Sequence, residues 1–124
     1  MKQRDRLYSK LAQIALSEFA DIVIDTLIFE GKLRIFLKDD SFIDIWLSIK
    51  KRGVYAYHWE RRSVDGTIYR YDNLPDPRAK KLKTYPKHFH FKIEENIIES
   101  EINDIPEEAL KTVLEFVRKI IGHA

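Results

Sequence analysis

The chain has 124 residues, 44% of them hydrophobic, with 22 Lys and Arg against 20 Asp and Glu. That length suits one domain over residues 1–124 with a core of its own, and two domains would each be too thin to bury one. The lack of cysteine excludes disulfides and thiolate metal centres, while the longest apolar runs, such as Ile43 to Ile49, are broken by Asp44 and Ser48 and fall well below the roughly 20 residues of a membrane span.

The charged start, Met1 to Arg6, leads into an amphipathic stretch and not an apolar export segment, so a cytoplasmic protein without membrane association is expected. Leu7, Leu11, Ile14 and Ala15 recur at helical spacing and predict a helix from about Gln3 to Glu18. From Phe19 the pattern turns to β-branched and aromatic residues. Strands are predicted over Asp21 to Phe29, Lys32 to Leu37 after the Glu30-Gly31 turn, and Phe42 to Ile49 after Asp39-Asp40-Ser41.

Two further strands, Gly53 to Glu60 and Thr67 to Asp72, flank the hairpin signal Asp65-Gly66. A register setting Glu60 opposite Arg70 and His58 opposite Asp72 gains two favourable cross-strand pairs and is the expected one. A two-residue Asp65-Gly66 loop shifts the pairing by one and separates them. Tyr55, Tyr57 and Trp59 share one strand face, and Tyr69 and Tyr71 repeat the alternation. Such a ladder is either a base-stacking surface or, as favoured here, the buried face of a sheet under a helix; Trp46 carries the same ambiguity.

Asn73 to Pro86 holds three of the four prolines and a basic cluster, which predicts an irregular loop. His88 to Ile93 and Ile97 to Ile102 are candidate returning strands, the second acidic enough to suit an edge. Asp104 is placed to cap a last helix with Pro106 in its first turn, the stripe Leu110, Val113, Leu114, Val117, Ile120 and Ile121 on its buried face, and Gly122 at its end. The fold class is therefore α+β: an antiparallel sheet of four to six strands flanked by an N-terminal and a C-terminal helix.

Charge is polarised along the chain. Lys50 to Lys92 carries 12 basic residues against Glu60, Asp65, Asp72 and Asp76, whereas Ile93 to Glu108 carries seven acidic residues and no basic one. Such blocks are either solvated faces or a surface for a polyanion.

The chemistry-bearing residues gather between Tyr55 and Phe91. In an extended strand His88 and His90 point to one side, and imidazoles so placed act as general acid and base or, with Asp72 or His58, hold a divalent metal. Asp72 ends one strand and the two histidines begin the next, so the three are expected to converge, with Arg70 on the same face as a phosphate clamp. A catalytic role calls for an open cleft holding at least one imidazole; full burial of all three marks a stabilising polar network instead.

Arg70-Tyr71-Asp72-Asn73, the following Pro75, and then Pro86-x-His88-x-His90 resemble the signature of the TumE family of toxin–antitoxin proteins. The likeness extends through the Asp39-Asp40-Ser41 turn, the Tyr55-x-Tyr57-His58 strand and the Asp65-Gly66 turn, roughly residues 30 to 92. After Pro75 the chain departs from it, with Asp76-Pro77 where family members often show a His pair. The resemblance implies a toxin component with a helix-turn-helix antitoxin as partner.

One function is then a nuclease-like or phosphotransfer toxin. In it His88 and His90 serve as acid and base or, with Asp72, as metal ligands, Asp72 orients an imidazole, and Arg70, Arg78, Lys80, Lys81 and Lys83 hold phosphates, with Asn73, His58 and Tyr57 completing the binding surface. The alternative is a domain that binds nucleic acid or an acidic partner through the same surface without turnover.

Overall fold

Each strand is joined to its predecessor by a reversal that brings it back alongside, so the strand order follows the sequence. A computed structural model describes residues 2–122 as a seven-stranded antiparallel sheet, β1 (Val23–Phe29), β2 (Lys32–Leu37), β3 (Phe42–Leu47), β4 (Tyr55–Arg61), β5 (Thr67–Asp72), β6 (His88–Lys92) and β7 (Ile97–Glu99), in that spatial order. Helices α1 (Gln3–Glu18) and α3 (Pro106–Ile121) flank it, and a one-turn helix α2 (Arg62–Asp65) joins β4 to β5. The expected four to six strands are corrected to seven, because both short segments after the proline-rich loop pair into the sheet. As its acidity indicated, β7 lies at an edge.

Turn chemistry sets the first hairpin. Glu30 and Gly31 both take positive φ, 49° and 78°, and close Phe29 onto Lys32, the two-residue geometry whose twist matches the strands it joins. The β4–β5 hairpin differs from both registers considered above. His58 lies opposite Arg70 and Ala56 opposite Asp72, with Arg61 paired to Thr67. Residues 62–65 coil into a helical turn that Gly66 ends at φ 82°, and this longer connection moves the pairing away from the expected charge complementarity.

One sheet face is apolar and the other polar. The ladder sets Leu33, Ile45, Tyr57, Tyr71 and Phe89 in one row and Ile35, Ile43, Trp59, Tyr69 and Phe91 in the next. These rows form the core under α1 and α3, where Phe116 packs edge-on against Trp59 at 6.0 Å and Tyr69 at 5.0 Å. Tyr55, Tyr57, Trp59 and Tyr69 are all buried, so the aromatic ladder is core and not a stacking platform; Trp46 is exposed on the opposite face. The Tyr8 hydroxyl anchors α1, donating to the Gly31 carbonyl at 2.8 Å and accepting from the Leu47 amide at 2.9 Å.

The last helix corrects two details. Its N-cap is Ile105, not Asp104, whose carboxylate instead meets Lys87 Nζ at 2.9 Å. Ile120 is exposed, while Ala109, Leu110, Val113, Leu114, Val117 and Ile121 are buried. No helix among the described residues is long and apolar enough to cross a membrane.

Leu110 and Leu114 are fully buried between α3 and the sheet. Leu114→Ala is expected to destabilise the fold by roughly 2 to 5 kcal/mol through lost apolar contact and a residual cavity. Urea unfolding measures this; a cost within the range of an exposed substitution would contradict the packing.

Candidate functional site

Antiparallel pairing lines the polar face in rows perpendicular to the strands. Arg34, Asp44, His58, Arg70 and His90 form one row; Trp46, Ala56, Asp72, His88 and Glu99 form its neighbour. Paired side chains in such a row lie roughly 5 Å apart at Cβ, within reach of direct contact. Asp72, His88 and His90 therefore converge, as their places at the two strand ends indicated.

The Arg70 guanidinium joins the rows. Its Nε donates to Asp72 Oδ2 at 3.1 Å, its Nη1 to His58 Nδ1 at 3.3 Å, and its Nη2 to His90 Nε2 at 3.3 Å and to Glu94 Oε2. Arginine has no acceptor, so each imidazole nitrogen it meets presents a lone pair. The remaining nitrogens then carry protons: His58 Nε2 donates to Glu60 Oε1 at 3.0 Å, and His90 Nδ1 to the Glu94 carbonyl at 2.7 Å. His88 is different. Its Nδ1 faces the Pro86 carbonyl at 2.7 Å and its Nε2 faces Asp72 Oδ1 at 3.1 Å. Both partners are acceptors, so each ring nitrogen of His88 is placed to donate.

The arrangement corrects one expectation. Asp72 is 3% exposed, His88 1% and His90 1%, so the anticipated open cleft is absent and all three are buried, the arrangement that marks a stabilising polar network. The loop after β5 is fastened down at several points. Asp76 caps a 3-10 turn (Pro77–Ala79) by accepting from the Arg78 amide at 2.9 Å, and Ala79 is fully buried. Farther along, the Lys83 amide donates to Glu99 Oε2 at 3.0 Å and Thr84 Oγ1 accepts from the Ser100 amide at 3.1 Å, tying the loop to the β7 edge. Arg78 reaches Glu94 at 3.3 Å, the carboxylate that also binds Arg70.

Burial alone works to raise the Asp72 carboxyl, but the histidines beside it, the Leu74 amide and the Arg70 guanidinium outweigh it and hold its pKa below the ordinary carboxylate value. Burial lowers His58, the Arg70 charge adds to that, and Glu60 only partly opposes it. The Arg78 hydrogen bond is the main reason that Asp76 falls to about 2.

The other predicted site residues divide. Lys80, Lys81 and Lys83 are exposed on the loop. Arg78 is not a free phosphate ligand, being held by Asp76 at 2.7 Å as well as by Glu94. Asn73 is a staple, its Oδ1 accepting from the Tyr55 amide at 2.9 Å and its Nδ2 donating to the Gly53 carbonyl at 2.8 Å. Tyr57 is buried on the opposite, helix-covered face and does not join the polar site. Glu94 escaped sequence reasoning, since it lies in the acidic block that reads as a solvated face and reaches Arg70 only because the chain turns at Lys92, φ 73°.

In metal-ligating terms Asp72, His88 and His90 are a two-histidine, one-carboxylate set whose donor atoms all lie within 4.8 Å of one another. A family model described as Toxin TumE matches residues 6–121, reaching into both terminal helices and so well beyond the motifs noted in the sequence. No curated protein and no solved structure matches the chain.

Acidification is expected to weaken the fold in two stages. His58 has a folded pKa below 6.5, so the unfolded chain binds the proton more readily and stability falls as pH drops through 6.5. Asp72 has a folded pKa below 3.8, so its contribution is complete above that value and is lost as pH falls further. Urea midpoints against pH check both, with Asp72→Asn shrinking the lower stage; a midpoint that rises on acidification would contradict the assignment.

Proposed function

This chain belongs to the TumE toxin family, and on that premise we propose that it is the toxin of a toxin–antitoxin module, restrained by a helix-turn-helix partner, and acts on nucleic acid by phosphodiester cleavage or transfer. The observation that carries the reading is the orientation of the two imidazoles. Each presents Nδ1 to a backbone carbonyl and turns Nε2 toward the one Asp72 carboxylate, though His90 Nε2 also meets Arg70 Nη2 at 3.3 Å, a contact that a bound cation would have to displace. That is how metal-binding histidines are held, the outer hydrogen bond fixing both tautomer and ring plane. A divalent cation held there would supply Lewis acidity toward a phosphoryl oxygen and acidify a bound water.

The chain's own residues take the remaining parts. Arg70, 22% exposed at its side chain and paired with both Asp72 and Glu94, becomes the phosphate clamp once Glu94 releases it. Lys80, Lys81 and Lys83 hold the nucleic-acid backbone from the loop. Because the three central residues are closed off, this reading requires the Glu94 contacts to Arg70 and Arg78 to part and the loop to lift.

That burial is also the specific observation favouring a second reading, in which Asp72, His88 and His90 brace the fold and the lysines bind nucleic acid or an acidic antitoxin segment without turnover. Growth and total RNA after induced expression, with and without the neighbouring gene product, separate the two when paired with folding and affinity measurements on His88→Gln and His90→Gln. The enzyme reading expects lost growth inhibition with fold and affinity intact. Inhibition that survives in folded variants would remove the catalytic role.

With Arg78 occupied, three lysines remain for phosphate contact. Binding to a duplex is expected to give a slope of log K against log salt near −2.7, at about 0.9 per phosphate neutralised. Lys80→Ser, Lys81→Ser and Lys83→Ser together should flatten it; an unchanged slope would exclude the loop as the contact.

A further inference from the structure

Away from the polar face, the first turn of α1, the β3–β4 connection and the start of α3 border a partly open pocket of about 750 Å³, within the size range of small-molecule sites. Leu7, Leu47, Val54 and Tyr57 give it an apolar lining, and Lys2, Arg4 and Arg52 stand around it. The one carboxylate among its lining residues, Asp104, is paired with Lys87 at 2.9 Å, and Glu107 in the first turn of α3 with Lys10 at 3.0 Å, so the lining carries three cations against Asp5 and Glu108 in the adjoining helix turns.

Two helices begin here. Gln3 and Arg4 of α1 and Pro106 of α3 line the cavity, and neither helix has a side-chain hydrogen bond from its N-cap, Lys2 in one and Ile105 in the other. Their first-turn amides and dipoles favour an anion. The independent sign of a ligand is Tyr55, a lining residue only 4% exposed, whose hydroxyl has no hydrogen-bond partner in the protein; Arg4 Nε is unpartnered as well. Buried polar groups of this kind are rare in folded proteins unless something else satisfies them. Burial, and then the charges of Asp104 and Asp72, push the Tyr55 pKa up, so the group remains an O–H donor.

We propose that this cavity binds a small organic monophosphate, its phosphate at the two helix starts with Arg4, Arg52 and Tyr55 and its apolar or aromatic body against Leu7, Leu47 and Val54. The site lies on the helix-covered side of the sheet, opposite the face that carries the Asp72 cluster.

The test uses phenyl phosphate as probe, with inorganic phosphate and phenol as its two halves, followed through backbone amide shifts of the full chain. Phenyl phosphate should shift the amides of Gln3, Arg4, Arg52, Gly53 and Glu107 to saturation, and each half should bind more weakly. Arg52 lies on an exposed turn, so Arg52→Glu spares the fold and should weaken binding by about tenfold or more. Tyr55→Phe separates ligand from structure: it should raise or preserve the melting temperature, by removing an unsatisfied buried hydroxyl, while lowering affinity. Absence of saturable shifts at those amides would overturn the proposal, as would affinity unchanged in either variant.

Discussion

The guanidinium of Arg70 is the interaction on which the polar face depends. It donates at once to His58, Asp72, His90 and Glu94, and being unable to accept, it dictates which nitrogen of two imidazoles keeps its proton. Asp72 is nearly inaccessible, and removing one partner of such a pair leaves an uncompensated buried charge, at a cost of roughly 3 to 5 kcal/mol. The two-residue alternation of β5 explains how this coexists with a hydrophobic core: Arg70 and Asp72 face one side while Tyr69 and Tyr71 pack on the other beneath α3.

Glu94 gives the arrangement its closed form. The carboxylate binds Arg70 and Arg78 together, and its own backbone carbonyl receives the His90 proton. One residue after β6 thus links the central arginine, the loop and the ring orientation. Burial pulls the Glu94 carboxyl upward and the two arginines pull it further down, so it is held as a carboxylate, the form in which it bridges both cations.

Where local chemistry was decisive, structure was legible in the sequence. The bounds of β2 and β5 and the span of α1 follow from turn residues and periodicity, and the meeting of Asp72 with His88 and His90 follows from their places on either side of a chain reversal. What failed depended on geometry that periodicity does not carry. The β4–β5 register moved because residues 62–65 form a helical turn, and the charges found partners along each strand, His58 with Glu60 and Arg70 with Asp72, where cross-strand pairs had been expected. Alternation grouped Tyr57 with Tyr55 and Trp59 but did not say that their shared face lay away from the histidines. Closure of the pocket rests on Asp76, Glu94 and Glu99 gripping an irregular loop, contacts with no sequence period.

Whether Asp72, His88 and His90 hold a cation, as proposed, or only brace the fold is decided at their ring nitrogens. Imidazole nitrogen-15 shifts of the folded protein, recorded at neutral pH with and without zinc, address it directly because they report proton and metal occupancy at each ring nitrogen. The account predicts that zinc shifts Nε2 of both His88 and His90 while Nδ1 of each keeps its proton and its carbonyl partner, and that Asp72→Asn abolishes the response. A His88 that stays doubly protonated, with neither ring responding to zinc, would contradict it and leave the cluster as an ion-paired support for the fold.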